Sequence, residues 1–207
     1  LFLDELREEL GEIKALKVPK IRNDKAEAFR EKLSKLTFFD PACGSGNFLT
    51  ETYISLRRLE NEALDIINQG QILLDTGDII KVSIGQFYGI EINDFAVTVA
   101  KTALWIAESQ MLGETEEIVN MSLDFLPLKS YANIVEGNAL RTDWETVVPK
   151  EKLNYIMGNP PFSGFKMQTT SQRDDMKLLA GKEIDRIGLL DYVCGWYILA
   201  AKYIENT

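Results

Sequence analysis

The fold is decided by one stretch of the sequence, Thr37-Phe38-Phe39-Asp40-Pro41-Ala42-Cys43-Gly44-Ser45-Gly46-Asn47-Phe48-Leu49. Its first four residues, with two phenylalanines between Thr37 and Asp40, predict a short buried strand. The chain then turns at once through Pro41 and a glycine-rich loop. We expect a helix to begin near Asn47 and to run to about Glu62. Such a helix offers free backbone N–H groups in its first turn.

The glycine-rich loop has the character of a ligand-binding turn. Gly44 and Gly46 lack a β-carbon, so a ligand can approach their backbone closely. Asp40, at the tip of the strand, would repel a pyrophosphate. It suits a cationic ligand instead, such as the ammonium and sulfonium groups of S-adenosylmethionine. An ordinary tight turn between strand and helix has the same pattern. The loop by itself is therefore compatible with a ligand-binding loop and with a purely structural turn.

Further strands and helices alternate along the chain. Strands are predicted at Phe87–Glu91, Ala132–Glu136 and Leu153–Met157, and helices at Leu3–Leu16, at Ala26–Leu36, from Asn93 or Asp94 onward, and at Leu189–Ile204. The stretch from Asn68 to Ser83 contains two glycines and both polar and apolar residues, and it is predicted to be a loop or an insertion. This alternation predicts an open, mostly parallel α/β sheet with flanking helices. Ligands of such sheets bind at the carboxyl ends of the strands.

Polar residues follow the second and third strands at the edge where a ligand would bind. Glu91 ends the second strand, where a carboxylate can accept both hydroxyls of a ribose. Asn138 follows the third strand, and its amide could bond the edge of an adenine, with the apolar Ala139 beside the ring. A plain turn would also explain Asn138.

The fourth strand runs into Asn159-Pro160-Pro161-Phe162. Two successive prolines fix the backbone and remove two N–H donors. The carboxamide oxygen of Asn159 and the carbonyl of Pro160 can then point into one small space. Both are acceptors, so they suit an amino group with two hydrogens. Phe162 can stack on the ring that carries this amine, which is worth about 1–3 kcal/mol for a base.

Composition and charge exclude several classes of protein. The chain has no histidine, which excludes Ser-His and Cys-His nucleophile pairs and histidine-ligated metal sites, and we predict no metal. Two cysteines in 207 residues indicate a reducing, cytoplasmic compartment. The longest apolar stretch, Tyr192 to Ala201, is too short for a membrane span. The net charge of -9 arises within residues 51–137. If the chain binds a nucleic acid, most of the basic residues that contact the phosphates must therefore belong to another domain or chain.

Together these motifs resemble those of a known family. The chain is similar to class I S-adenosylmethionine-dependent methyltransferases, and among them to the amino-group DNA methylases. The match narrows to the single-chain type II (IIG/IIL) restriction-modification enzymes, which fuse nuclease, methylase and specificity regions. It rests on residues 39–49, on Gly158 to Gly164 with Gln172 to Met176 following, and on Leu190 to Val193 with Trp196 and Tyr197.

The resemblance implies a Rossmann-like catalytic domain spanning residues 1–207, with a helical cover at 1–36 and the α/β core at 37–207. It implies that the domain is partial, since the family's sheet continues with three more strands after the last helix here. One sheet edge should then be exposed and apolar, and we expect the piece to self-associate or to be inactive alone. Specificity and nuclease regions would lie outside this chain.

The resemblance also assigns roles to residues. The segment from Asp40 to Phe48 would contact the methionine part of S-adenosylmethionine, Glu91 would hold its ribose, and Ile92 and Asn138 its adenine. Asn159, Pro160 and Phe162 would hold an adenine flipped out of double-stranded DNA, whose N6 receives the methyl group directly. Cys43 has no catalytic role in this interpretation.

Three alternatives remain open from the sequence. The same Asn-Pro-Pro-aromatic loop serves enzymes that methylate guanine N2 in ribosomal RNA or the amide nitrogen of glutamine in proteins. Cytosine N4 is another amino target, although Asn at position 159 rather than Ser favours adenine. A non-catalytic module that retains the cofactor fold is a third alternative, against which Asp40, Glu91 and Asn159 argue.

Overall fold

The computed structural model describes residues 2–68, 79–123, 132–180 and 187–205, and its centre is a four-stranded parallel sheet. The strands are β1 (Phe38–Asp40), β2 (Phe87–Glu91), β3 (Asn133–Glu136) and β4 (Tyr155–Ile156). Their order is β3-β2-β1-β4, so the chain winds outward from β1 to β3 and then crosses to the other side of β1. The predicted parallel α/β sheet is thus confirmed, and its switch point lies between β1 and β4, where such sheets bind ligands.

Six α-helices flank this sheet in the described part of the chain. They are α1 (Phe2–Lys14), α2 (Pro19–Ser34), α3 (Asn47–Asn68), α4 (Asp94–Val119), α5 (Thr170–Ala180) and α6 (Cys194–Ile204). Asn93 caps α4, since its side chain accepts a hydrogen bond from the Ala96 N–H at 2.9 Å. The start of this helix is therefore where the sequence predicted it.

The helices divide between the two faces of the sheet because successive strand residues point to opposite faces. Phe38 belongs to a hydrophobic cluster built with residues of α1, α2, α3 and α4. Its neighbour Phe39 belongs to a second cluster, to which α5 and α6 contribute Met176 and Trp196. Both strand residues are fully buried, so β1 is the central element of both cores.

The two N-terminal helices cover the first of these cores. Leu6, Leu10 and Ile13 of α1 are buried at helical spacing, and the second helix begins with Pro19 in its first turn, a position that suits proline. The ring of Phe2 stacks on Tyr155 of β4 with centroids 4.6 Å apart. The predicted helical cover therefore packs into the same hydrophobic cluster as α3 and α4.

Several predicted helix boundaries differ from the structure. The second helix begins at Pro19 rather than near Ala26, so its first turn lies before the apolar positions that predicted it. The helix predicted to end near Glu62 continues to Asn68, because Ala63, Leu64 and Ile66 are buried. The last helix was predicted to begin at Leu189, but α6 begins at Cys194. The residues before it form a 3₁₀ turn, Ile187–Leu189, and a loop that hydrogen-bonds to another part of the chain.

One helix, α5, was absent from the prediction. Among the residues of α5 whose burial is described, Met176, Leu179 and one charged residue are buried, so its apolar pattern is weak. A capping box starts it, because the Thr169 N–H donates to the Gln172 side chain at 2.9 Å and the Gln172 N–H donates to the Thr169 hydroxyl at 3.2 Å. The Thr169-to-Gln172 spacing was the sequence signal that could have predicted this helix.

A buried ion-pair network ties residues 79–83 to the helices. The Arg57 guanidinium pairs with the Glu60 carboxylate, and both side chains are fully buried. The same carboxylate accepts the backbone N–H of Lys81 at 2.6 Å. Most of the loop predicted between Asn68 and Ser83 lies outside the described residues.

On the other side of the sheet, β4 is the last strand within the described residues. An apolar cavity of about 530 Å³ lies beside β4 and α6, and its lining includes Tyr155, Ile156, Trp196 and Tyr203. The expectation that an exposed sheet edge leads to self-association stays a prediction. In the described ranges, the helices are all too short or too polar to cross a membrane.

Candidate active site

A cavity of about 540 Å³ opens at the carboxyl ends of the strands. It lies over the switch point and takes residues from all four predicted motifs. The predicted site residues in its lining are Pro41, Ala42, Glu91, Ile92, Asn138, Ala139, Asn159 and Pro161. Residues widely separated in sequence thus meet in one space, as expected of parallel strands that end at the same edge.

The glycine-rich loop between β1 and α3 needs its glycines. Gly44 and Gly46 have φ values of +54° and +82°, which favour glycine. A β-carbon on Gly46 would lie 2.9 Å from the β-carbon of Ala100, so α4 packs directly against the loop. Ser45 in this loop is exposed, as are Asn47 and Phe48 at the start of α3.

Asp40 ends β1 beneath this loop. Its Oδ1 accepts the Ala42 N–H at 2.9 Å, whereas its Oδ2 is buried and lacks a hydrogen-bond partner among the described residues. Burial raises the pKa of the Asp40 carboxyl to about 6, and the negative charge of Glu91 adds to this. A buried carboxylate oxygen without a donor is well suited to a cationic or hydrogen-bond-donating ligand group.

Glu91 connects the loop to the end of β2. Its Oε2 accepts the Gly44 N–H at 3.0 Å, and its Oε1 accepts the Asn93 N–H at 2.9 Å. Each carboxylate oxygen can accept a further hydrogen bond, so the side chain remains able to bind two hydroxyl groups of a ligand. Ile92 follows it with 68% of its surface exposed, beside the same cavity.

Asn138 follows β3 and is held in one orientation. Its Oδ1 accepts the Leu140 N–H at 2.9 Å, and its Nδ2 donates to Oδ2 of Asp175 at 3.0 Å. The next residue, Ala139, is buried. One N–H and one acceptor lone pair of the Asn138 amide are left over from these two bonds.

Asp175 of α5 lines the cavity and was not among the predicted site residues. Its carboxylate accepts hydrogen bonds from Asn138, from Arg141 Nε at 2.5 Å and from the Tyr192 hydroxyl at 2.8 Å. Burial raises the pKa of Asp175, but the hydrogen bonds from Asn138, Tyr192 and Arg141 outweigh it, and the pKa lies below its ordinary value. A charged acceptor therefore stands beside Asn138.

The Asn159-Pro160-Pro161-Phe162 loop begins at Gly158, whose φ is +148°. Asn159 and Pro161 line the cavity described above, whereas Pro160 lines the apolar cavity beside β4. Phe162 is 72% exposed. A large exposed aromatic ring directly after a cavity-lining residue in the chain is available to stack on a ligand.

The loop is anchored directly after Phe162. The Ser163 N–H donates to Oδ1 of Asp191 at 2.9 Å, and the Ser163 carbonyl accepts from the Tyr192 N–H at 2.9 Å. The buried Gln168 side chain also donates to the Ser163 carbonyl at 3.0 Å. The sequence prediction had included the Leu190-to-Val193 segment only through the family resemblance, and it did not foresee this anchoring.

Cys43 is buried and packs against β2. A β-carbon on Gly89 would lie 2.9 Å from its sulfur, so the thiol fills the space left by that glycine. Burial raises the pKa of the thiol to about 12, with the charges of Asp40 and Glu91 adding to it. The group is a neutral thiol at physiological pH, which fits packing rather than nucleophilic attack.

Comparison with known proteins finds relatives of this chain. The family described as the DNA-methyltransferase domain of MmeI matches residues 16–207. DNA methyltransferase A of Bacillus subtilis strain 168 is 43% identical over 189 residues, which are 88% of this chain and 21% of that protein. A Methanocaldococcus jannaschii protein, provisionally named as a type II restriction enzyme and methyltransferase, is 27% identical over 85% of this chain and 15% of its own.

A solved structure agrees with the sequence comparisons. The type IIL restriction-modification enzyme MmeI, determined in complex with DNA, superposes with a TM-score of 0.89 and 41% sequence identity. The superposition covers 99% of this chain and 26% of the MmeI chain. This chain thus spans about a fifth to a quarter of the length of these two relatives.

Proposed function

The chain belongs to the family of MmeI DNA-methyltransferase domains, and from this premise we propose that it transfers a methyl group from S-adenosylmethionine to the N6 amino group of adenine in DNA. The observation that carries the proposal is the meeting of Glu91, Asn138 and Asn159 around one cavity, with the exposed Phe162 in the same loop as Asn159. This arrangement offers room for a nucleoside-type ligand on one side and acceptors for an amino group on the other.

The residues at the ends of β1, β2 and β3 fit S-adenosylmethionine. The unpartnered oxygen of Asp40 suits its cationic methionine end, and the segment from Pro41 to Phe48 would surround that end. Glu91 would accept the ribose hydroxyls, while Ile92, Asn138 and Ala139 would pack on and bond its adenine. The cofactor supplies an activated methyl group, and the protein supplies position and a dry site.

The base side would be formed by the loop after β4. Asn159 Oδ1 and the Pro160 carbonyl would accept the two amino hydrogens of the target, which turns the nitrogen lone pair toward the methyl group. Pro160 and Pro161 would hold this backbone rigid. Phe162 would stack on the target ring, which offsets part of the few kcal/mol needed to flip the base out of a duplex.

The reaction needs no nucleophilic side chain in this proposal. The neutral, buried Cys43 supports that view, because a covalent intermediate would require an accessible thiolate. The amine is itself the nucleophile, and its two acceptors orient it.

Double-stranded DNA is the proposed substrate, within a restriction-modification or related phage-defence system. The net charge of -9 gives the chain little electrostatic attraction for phosphate. We therefore propose that a target-recognition region outside these residues supplies most of the contacts to DNA, and that a nuclease region accompanies it. The names of the relatives, DNA methyltransferase A and a restriction-modification enzyme bound to DNA, support this setting.

The proposal is tested by supplying several acceptors at once. This chain, and a version extended at both ends, would be incubated with labelled S-adenosylmethionine and separate pools of unmethylated DNA, ribosomal RNA and protein. Digestion and mass spectrometry would then identify the modified unit. We expect N6-methyladenine in the DNA. N4-methylcytosine would keep the enzyme class but change the target base.

The other outcomes would contradict the proposal. If the methyl label appeared only in RNA or only in protein, the chain would instead be a guanine-N2 or a glutamine methyltransferase. Clear cofactor binding without label in any pool, from either version, would make a non-catalytic module the better account.

A further inference from the structure

We infer that Asp175 is a positioning residue that joins the two halves of the site, acting through Asn138 on the cofactor side and through Tyr192 on the base side. The inference rests on the proposed function and adds a residue to it. Asp175 lies on α5, outside the four motifs that the sequence singled out, and 1% of its surface is exposed.

On the cofactor side, Asp175 selects one orientation of the Asn138 amide. The Asn138 Nδ2 donates to Asp175 Oδ2, while its Oδ1 accepts the Leu140 N–H. Turning the amide over would place Nδ2 against an N–H donor and Oδ1 against a carboxylate, so both hydrogen bonds would be lost. Asp175 thereby determines which remaining donor and acceptor of Asn138 a ligand meets.

On the base side, the same carboxylate oxygen holds Tyr192. The Tyr192 hydroxyl donates to Asp175 Oδ2 at 2.8 Å, and the Tyr192 backbone N–H donates to the Ser163 carbonyl at 2.9 Å. Ser163 directly follows Phe162. The Tyr192 ring is fixed between these two bonds by an edge-on contact with Trp196, with centroids 5.1 Å apart.

A continuous set of hydrogen bonds therefore runs from Asn138 through Asp175 and Tyr192 to the residue after Phe162. Its central acceptor is charged and buried, and charge-assisted hydrogen bonds in such surroundings are stronger than neutral ones. Arg141 Nε, at 2.5 Å from Oδ1, balances the negative charge of Asp175. Loss of Asp175 would free the Asn138 amide to turn over and would loosen Tyr192.

The test measures S-adenosylmethionine binding by calorimetry in the full chain. Asp175→Asn removes the negative charge and leaves one acceptor oxygen, so an amide N–H must face either Arg141 or the donors of Asn138 and Tyr192. We expect this substitution to raise the Kd about tenfold. In an Asn138→Ala background the same substitution should change the Kd by less than about twofold, because residues that act through one another are not additive. Asp174→Asn is the matched control, since Asp174 is exposed and pairs with the exposed Lys177 at 3.0 Å, and it should leave the Kd unchanged.

Each other result is informative. An unchanged Kd in Asp175→Asn, or an equal factor in both backgrounds, would overturn the inference, because a merely structural carboxylate would act additively.

If Asp175→Asn lost its far-ultraviolet circular dichroism, Tyr192→Phe, which removes only the hydroxyl, would take its place. We expect Tyr192→Phe to raise the Kd about threefold, but not in the Asn138→Ala background, and no change would again overturn the inference. If the unsubstituted chain did not bind S-adenosylmethionine, the result would contradict the proposed cofactor site rather than the role of Asp175.

Discussion

The carboxylate of Asp40 lies directly against the α-carbon of Gly158, so closely that a β-carbon on residue 158 would sit 2.3 Å from Asp40 Oδ1. Asp40 ends β1 on the proposed cofactor side, and Gly158 precedes Asn159 on the proposed base side. The two halves of the site therefore meet at this contact, which only glycine allows. The φ of +148° at Gly158 imposes the same restriction independently.

Gly158→Ala is expected to abolish most methyl transfer and to lower the free energy of unfolding by about 2–4 kcal/mol, because the new methyl group meets a buried carboxylate in a strained backbone. Urea denaturation and the transfer assay would measure both effects. Gly164→Ala is the control, since a β-carbon there would meet no atom within 4 Å in the described part of the chain beyond its two sequence neighbours. Equal behaviour of the two variants would show that the contact with Asp40 is unimportant.

Stability should depend on pH through Asp40. Burial raises the pKa of this carboxyl from 3.8 to about 6 in the folded protein. Between about pH 4 and 6 the folded state binds more protons than the unfolded state, so stability falls as pH rises, by about 3 kcal/mol at most. Asp40→Asn lacks this contribution, so its stability relative to the unsubstituted chain should grow from pH 4 to 6 and then level off. A constant difference in urea denaturation from pH 4 to 8 would contradict the assignment.

Asn159→Ala and Phe162→Ala are expected to lower methyl transfer while leaving the Kd of S-adenosylmethionine near normal. Loss of stacking by Phe162 should reduce kcat/KM by about tenfold or more, which corresponds to the 1–3 kcal/mol of a base–aromatic contact. Leu178→Ala, an exposed residue of α5 that does not line the cavity, is the control. Calorimetry showing that either change abolishes cofactor binding would make the assigned roles wrong.

Asp191→Ala should lower transfer without changing cofactor binding, because its carboxylate holds the Ser163 N–H directly after Phe162. We expect kcat to fall by about tenfold as the ring loses its fixed position. Asp191→Asn keeps an acceptor oxygen and should retain most activity. If the alanine and asparagine variants were equally active, anchoring by Asp191 would not matter for the reaction.

Glu60→Ala should destabilise the fold by about 3–5 kcal/mol, because it leaves the buried Arg57 guanidinium without its charge partner. Glu62→Ala, two residues later on the same helix, breaks an exposed pair with Lys14 and should lower stability by less than about 1 kcal/mol. Chemical denaturation of both variants checks this difference. Similar losses would mean that the buried pair contributes little.

Much of the architecture could be predicted from local patterns. Alternating strands and helices predicted the parallel sheet, and the structure places β2 at Phe87–Glu91 as expected. Apolar spacing predicted the buried faces of α1, α2 and α4, because side-chain periodicity is a local property of each element. The weakly apolar α5 was missed for the same reason. The roles assigned to Asp40, Glu91, Asn138 and Asn159 remain predictions, although the structure brings the last three around one cavity.

The sequence by itself determined the class of fold and the edge of the sheet where the polar motifs lie, since parallel strands necessarily present their carboxyl ends together. Only the tertiary structure decided how these motifs are held. The hydrogen bond from Asn138 to Asp175 spans 37 residues, and that from Ser163 to Asp191 spans 28. Such bonds join single side chains across different elements, so they leave no periodic trace in the sequence. Their partners become visible only when the packing of α5 and α6 against the sheet brings them within hydrogen-bonding distance.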